Sequence, residues 1–209
     1  RVLFRSSYSI RVMTDDGFGG TFEKVFSIFI NNVSGEAQTI TFDALAAVTF
    51  GDVNFELTAT ASSSLPVTYA SSDENVITIS GSTVTIVGAG TSTITASQVG
   101  NGDYSAATPV EQTLTVNKAS QTITFEALSP VFYGDDNFTL NGSTDATGLT
   151  ISYASSDETV ATVLGNTVTI VGAGTTTITA SQTGDANYNG ATPVEQTLTV
   201  NKANQTITF

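Results

Sequence analysis

The side chains of this chain that could do chemistry are carboxylates and amides gathered in short turns. Asp52 lies close to Asn54, and the second half of the chain has Asp-Asp-Asn at residues 135–137. Two further turns read Asn-Gly-Asp at 101–103 and Asp-Ala-Asn at 185–187. These oxygens fit Asx turns, in which the side chain accepts a hydrogen bond from the backbone just beyond it. Calcium, which takes about six to eight oxygen ligands, is the alternative at Asp52, Asp103, Asp135, Asp136 and Asp185.

Catalytic machinery is restricted by composition. The chain has no His and no Cys, which excludes Ser-His-Asp and Cys-His centres and nearly every zinc site. Carboxylates remain, and Asp73 adjoins Glu74 as Asp157 adjoins Glu158. Adjacent side chains of an extended chain point apart, whereas glycoside hydrolysis needs two carboxylates that face each other across a sugar. We therefore predict polar loops here, no enzymatic activity and no cofactor other than the calcium alternative.

The Gly-Ala-Gly sequences at 88–90 and 172–174 resemble part of a phosphate-binding loop. A dinucleotide fingerprint requires a third Gly and a helix that follows it. Here an alternating segment, Thr-Ser-Thr-Ile-Thr-Ala at 91–96, follows instead. The pattern predicts a hairpin between strands at 83–87 and 91–96, with Gly-Ala-Gly as its turn.

Two loop tyrosines, Tyr104 and Tyr188, are candidates for binding a glycan or a protein. Aromatic rings in such loops also serve to cap a hydrophobic core. Both interpretations stay open at this point.

The charge of the chain limits its partners. Nineteen acidic and six basic residues give a net charge of -13. Nucleic acids and anionic membrane surfaces both demand a basic patch, so neither is expected as a partner. No run of 18 apolar residues is present, and we expect no membrane insertion within this segment.

The elements that must position these residues belong to a tandem repeat. Gln-Thr-Ile-Thr-Phe occurs at 38–42, 121–125 and 205–209, so that the copies begin 83 and 84 residues apart. Its alternation of apolar residues and Thr is typical of a half-buried strand. We predict one repeat at 38–120, a second at 121–204, and the first strand of a third at 205–209. A unit of this size is long enough to bury its own core.

Each repeat contains about seven short alternating segments separated by turn residues, without any segment of helical period. This pattern predicts a β-sandwich. The inward face of the segment 76–79 is left open by its sequence, Val-Ile-Thr-Ile.

Residues 1–37 lie outside the repeat and predict a β-hairpin, with strands near 8–12 and 22–30 and a Gly-rich loop between them. The segments Ser-Tyr-Ser-Ile-Arg-Val at 7–12, Asp16-Gly17 and Phe-Ser-Ile-Phe-Ile-Asn-Asn-Val at 26–33 resemble the end of a bacterial cadherin-like domain. The resemblance implies a calcium ligand at Asp16. The chain departs from that family at Leu3, where a Glu ligand is expected, and at 31–35, where the linker is not acidic.

The segments 76–79, 84–91 and 94–96 resemble bacterial Ig-like domains, and both repeats share the resemblance. The opening Gln-Thr-Ile-Thr-Phe and the closing Asn-Lys-Ala are similar to repeats of large surface adhesins of Bacteroidota. The resemblance implies tandem Ig-like sandwiches in an extended rod at the cell surface or outside the cell. Its implied role is a stalk or spacer whose partners are neighbouring repeats. Ligand binding through the loops and homotypic filament formation are the alternatives.

Overall fold

The computed structural model of the protein describes residues 4–15, 18, 21–32 and 35–209. In this part of the chain all regular structure is β-strand, so the predicted all-β fold class is confirmed. No helix that could span a membrane is found there.

The N-terminal segment forms the predicted β-hairpin. Strand β1 (Phe4–Asp15) pairs antiparallel with β2 (Thr21–Asn32), with Phe4 opposite Asn32 and Asp15 opposite Thr21. Asp16, the calcium ligand implied by the cadherin-like resemblance, lies outside the described residues.

Repeat 1 contains nine short strands. They are β3 (Ile40–Thr41), β4 (Val48–Thr49), β5 (Phe55–Glu56), β6 (Thr60–Ala61), β7 (Thr68–Ser71), β8 (Ile77–Ser80), β9 (Thr83–Ile86), β10 (Gly90–Ser97) and β11 (Val110–Asn117).

The strands of repeat 1 form two main sheets that enclose one core. One sheet has the order β4-β11-β10-β7, the other has the order β5-β9-β8, and β3 pairs with β6. The first sheet contributes Ile94 and Leu114 to the core and the second contributes Ile77 and Val84, and all four are fully buried. Within β8, Ile77 and Ile79 face inward while Thr78 is exposed, which answers the question that the sequence of 76–79 left open.

The predicted hairpin at 83–96 is wrong. Strand β9 pairs with β8 and β5, whereas β10 pairs with β11 and β7 in the other sheet. The Gly-Ala-Gly segment therefore carries the chain from one sheet to the other. The backbone N–H groups of Val87 and Gly88 donate to the Val76 carbonyl oxygen at 2.9 and 3.1 Å, which holds the start of this crossover against the preceding loop.

The strand number also differs from the seven segments expected. Strand β4 forms a parallel pair with the last strand of the repeat, β11, and Val48 lies opposite Val116. Residues 55–61 contain two short strands, β5 and β6, whose partners lie in different sheets. Two-residue pairings of this kind are too short to produce an alternating pattern.

Repeat 2 reproduces this arrangement. Its strands are β12 (Ile123–Thr124), β13 (Val131–Phe132), β14 (Phe138–Thr139), β15 (Ser143–Thr144), β16 (Ser152–Ser155), β17 (Ala161–Leu164), β18 (Thr167–Ile170), β19 (Gly174–Ser181) and β20 (Val194–Asn201). The sheets have the orders β13-β20-β19-β16, β14-β18-β17 and β12-β15. Val168, Ile178 and Leu198 are fully buried in its separate core.

Candidate functional site

Residues 185–189 of repeat 2, which we call the joint loop, make hydrogen bonds to repeat 1 and to the linker. Asp185 organises this loop, because its Oδ1 accepts hydrogen bonds from the backbone N–H groups of Asn187 and Tyr188, both at 2.8 Å. The N–H of Asp185 donates to the Tyr188 carbonyl oxygen at 3.1 Å. The loop is thus an Asx turn, and the hydrogen bonds that form the turn are made within repeat 2.

The joint loop docks on the end of repeat 1, and we call the surface that receives it the acceptor face. The Ala89 N–H donates to Asn187 Oδ1 at 2.9 Å. Lys118 Nζ donates to the Asp185 carbonyl oxygen at 2.5 Å. The acceptor face comprises Phe50, Gly88, Ala89, Lys118 and Ala119.

An aromatic pair completes the contact. The ring of Tyr188 meets the ring of Phe50 edge to face, with centroids 5.5 Å apart and planes at 83°. This is a favoured geometry for aromatic rings and contributes roughly 0.5–1.5 kcal/mol beyond burial of area. Tyr188, predicted as a ligand-binding candidate, is therefore used in the joint, and its binding of an external ligand stays a prediction.

The connection between the repeats is held by the same loop. The Ala119 N–H donates to the Asn187 carbonyl oxygen at 2.9 Å, and the Asn189 N–H donates to the Ala119 carbonyl oxygen at 2.8 Å. Asn189 Nδ2 also donates to the Lys118 carbonyl oxygen at 3.3 Å. The N–H and the carbonyl oxygen of Ala119 are thus both hydrogen-bonded to the joint loop, and Ala119 forms a parallel β-bridge with Tyr188.

Gly88 is needed at the acceptor face for reasons of space. A Cβ atom there would lie 2.7 Å from the Asn75 carbonyl oxygen and 3.3 Å from Asn187 Oδ1. The first distance is too short for any side chain, and the second would displace the joint loop. The Gly-Ala-Gly sequence considered as a phosphate loop thus allows the backbone at Gly88 to approach the backbone at Asn75 closely.

The Gln that opens repeat 1 and repeat 2 is a buried polar anchor that is not among the predicted site residues. Gln121 Nε2 donates to Gln182 Oε1 and to the Asn189 carbonyl oxygen, both at 2.7 Å. Its Oε1 accepts from Thr144 Oγ1 at 2.8 Å. Gln38 is likewise buried and donates to Gln98 and Ser105 at 2.7 Å. These bonds connect the first strand of a repeat to its joint loop or the equivalent loop.

The equivalent loop of repeat 1, residues 101–105, contacts the segment before that repeat in the same way. Asn101 Oδ1 accepts from the N–H groups of Asp103 and Tyr104, both at 2.9 Å. The Glu36 N–H donates to the Asp103 carbonyl oxygen at 2.7 Å, and the Ser105 N–H donates to the Glu36 carbonyl oxygen at 2.9 Å. Tyr104, the other ligand-binding candidate, is half-buried in this loop, and its binding of a ligand stays a prediction.

The calcium candidates are dispersed, and several are used as turn caps. Asp52 Oδ2 accepts from the Thr49 N–H and Asp135 Oδ2 from the Phe132 N–H, both at 2.8 Å. Asp103 and Asp136 have exposed side chains. Among residues 35–209 and the described parts of the hairpin, no group of three or more acidic side chains is placed to hold a metal. Calcium binding stays a prediction.

The Asp of each adjacent carboxylate pair considered for catalysis has a role in a turn. Asp73 Oδ1 accepts from the Asn75 N–H at 2.9 Å. Asp157 Oδ1 accepts from the Thr159 hydroxyl at 2.7 Å and from its N–H at 2.9 Å. The Thr159 side chain, followed by its backbone, lowers the pKa of Asp157. These hydrogen bonds place Asp73 and Asp157 in turns of the polar loops that the sequence predicts.

Asp145 gives repeat 2 a pH-dependent contact at its first strand. Its two oxygens accept from the N–H and the hydroxyl of Thr122, each at 2.8 Å. The backbone hydrogen bond and then the side-chain hydrogen bond from Thr122 lower the pKa of Asp145 below its ordinary 3.8. The stabilisation is therefore complete above the unfolded-state pKa and is lost as the pH falls through the lower folded-state value.

We expect Asp145→Asn to weaken the acid sensitivity of repeat 2. The amide still accepts one hydrogen bond from Thr122 but does not titrate, so the loss of stability below about pH 4 should be shallower than in the parent chain. Urea unfolding of the full chain at a series of pH values measures this slope. Asp136→Asn makes the same change of charge at an exposed residue and serves as the control; equal slopes for the two variants would contradict the role of Asp145.

Comparisons with known proteins identify no family and give structural similarities at low sequence identity. No protein-family model matches the sequence, and a search of curated proteins found no match. Human protocadherin-24 EC1-2 is 13% identical with a TM-score of 0.35, over 76% of this chain and 94% of that one. Surface layer protein SbsC, domains 1-6, is 18% identical with a TM-score of 0.36, over 94% of this chain and 32% of that one. Drosophila N-cadherin EC1-4 is 11% identical with a TM-score of 0.31, over 93% of this chain and 58% of that one.

Proposed function

We propose that this chain is a structural spacer of an extracellular adhesive or surface protein, in which sandwich repeats are joined stiffly end to end. The observation that carries the proposal is the joint. The linker is hydrogen-bonded on both sides of Ala119, and side chains of both repeats meet across it through Phe50 and Tyr188. A connection bound in this way transmits orientation from one domain to the next, whereas a flexible linker does not.

Composition supports the same proposal. The net charge of -13 favours solubility of a long, exposed array. The resemblance to Ig-like repeats of Bacteroidota adhesins supports a bacterial cell-surface or secreted location. Under this proposal the chain performs no catalysis, and its partners are neighbouring repeats that carry a functional domain away from the cell.

Small-angle X-ray scattering of the full chain tests the proposed spacer function. At about 3.3 Å for each strand residue plus the end loops, each repeat should add roughly 35–45 Å to the long axis. We expect the pair-distance distribution to be skewed, as for a rod. A symmetric distribution with the maximum dimension of a compact particle of this mass would contradict the proposal.

A further inference from the structure

The acceptor face of repeat 1 has a complete counterpart on repeat 2, which we call the open face. It comprises Tyr133, Gly172, Ala173, Lys202 and Ala203, which occupy the positions of Phe50, Gly88, Ala89, Lys118 and Ala119. Four of the five residue types are identical, and the fifth exchanges one aromatic ring for another. The crossover at Gly172 is as tight as in repeat 1, because a Cβ atom there would lie 2.6 Å from the Thr159 carbonyl oxygen.

The two faces differ in what covers them. Gly88 is buried and Ala89 half-buried beneath the joint loop, whereas Gly172 is only partly covered and Ala173 is exposed. Tyr133 is 52% exposed, while Phe50 is half-buried. The open face borders a groove of about 520 Å³ that Val171 and Gln205 also line. An aromatic ring and a linker backbone are thus presented to solvent where repeat 1 uses them in a contact.

The contact between the joint loop and the acceptor face indicates which kind of surface fits the open face. The joint loop supplies a side-chain oxygen at Asn187 and a ring at Tyr188, and repeat 1 has the same loop with Asp103 and Tyr104 at these positions. The cap is the same in both, from Asn101 in one loop and Asp185 in the other. Each of the two repeats therefore has both a loop of this type and an end face with the residues that form the acceptor face of repeat 1.

The chain beyond the open face has the sequence of a first strand. Residues 205–209 repeat Gln-Thr-Ile-Thr-Phe and follow Lys202-Ala203 as residues 121–125 follow Lys118-Ala119. Gln38 and Gln121 are buried against their own loops, while Gln205 is exposed. The Gln205 side chain thus lacks, within the described residues, the environment that it has in the other two copies.

We propose that the open face is the docking site of a further sandwich of the same kind, which begins with the strand 205–209. In the docked state the Ala173 N–H donates to the side-chain oxygen of the incoming loop, and the Tyr133 ring packs against the tyrosine of that loop. Lys202 and Ala203 hold the loop backbone as Lys118 and Ala119 do. The inference rests on the joint between the two repeats and not on the proposed spacer function.

The test uses the full chain lengthened by one repeat, with a second copy of residues 121–209 following Asn204. Amide hydrogen exchange measured by NMR is compared at Ala89 and Ala173. In the 209-residue chain we expect Ala89 to be protected and Ala173 to exchange freely. In the lengthened chain Ala173 should slow by about tenfold, the effect of one hydrogen bond of ordinary strength.

A variant makes the test specific to the loop. Asn187→Ala in the added copy alone should return Ala173 to fast exchange and leave Ala89 unchanged. Fast exchange at Ala173 in the lengthened chain, with Ala89 still protected, would overturn the inference and leave the first joint intact. Fast exchange at both alanines would overturn the joint itself and the spacer proposal with it.

Discussion

Leu198→Ala is expected to lower the free energy of unfolding of repeat 2 by about 3–4 kcal/mol, the largest effect of a single substitution that we predict. Leu198 is fully buried at the centre of β20, in contact with the core that includes Val168 and Ile178. Truncation removes apolar contacts from both sheets and leaves a cavity that the surrounding strands fill only in part. Urea unfolding of the full chain, followed by hydrogen exchange mass spectrometry, assigns the loss to repeat 2.

Leu164→Ala is the matched control for this prediction. It removes the same atoms from the same repeat, but Leu164 is 88% exposed. We expect a change within about 0.5 kcal/mol. If the two variants were destabilised equally, the assignment of β20 to the core would be wrong.

Gln121→Leu is expected to cost repeat 2 about 2–3 kcal/mol, although Leu is similar in size and more apolar. The substitution removes two hydrogen bonds donated to Gln182 and Asn189 and one accepted from Thr144. Each net loss is about 1 kcal/mol, and partners left unsatisfied in a half-buried setting increase it. Because Asn189 is part of the joint loop, the substitution should also loosen the joint.

Gln205→Leu provides the control, since it changes the same residue of the same motif at an exposed position. Its effect on the free energy of unfolding should be a few tenths of a kcal/mol at most. Thermal and urea unfolding of both variants measure the difference. A stability of Gln121→Leu equal to that of the parent chain would show that the buried amide does not anchor the strand.

The sequence predicts the strands of this fold better than their partners. Alternation at 83–87 and 91–96 correctly indicates two strands, but the same pattern occurs when strands pair and when they face each other across a core. The Gly-Ala-Gly between them fits a hairpin turn as well as a crossover. Only the contacts of β9 with β8 and of β10 with β11 distinguish the two.

The buried Gln could have been found from the sequence. In the strand 38–42, alternation places Gln38 on the same face as Ile40 and Phe42, and all three are buried while Thr39 and Thr41 are exposed. A polar side chain on the apolar face of a strand requires hydrogen-bond partners. Its partner Gln98 is 60 residues away, so the sequence indicates the need for a partner but not its identity.

The joint itself has no local signal. Asn187 accepts from a backbone group 98 residues earlier, and nothing in the turn 185–187 distinguishes a loop that contacts a neighbouring repeat from one that binds calcium. Asp52, Asn101, Asp135 and Asp185 cap turns as the sequence predicts. The contact of the joint loop with a second domain follows from the position of the loop at one end of the sandwich.

The central claim is that residues 185–189 fix the orientation of repeat 2 relative to repeat 1. The chain has no Cys, so Thr85→Cys and Thr169→Cys introduce the only two sites for spin labels. Both residues are exposed, in equivalent strands of the two repeats.

Double electron–electron resonance between these labels tests the claim most directly. We predict a single narrow distance distribution in the full chain. The distribution should be clearly broader after Asn187→Ala, which removes the hydrogen bond that Asn187 Oδ1 accepts from the Ala89 N–H. The control Asp103→Ala changes the equivalent residue of the other loop and should leave the distribution narrow. A broad distribution in the parent chain, unchanged by Asn187→Ala, would contradict the claim.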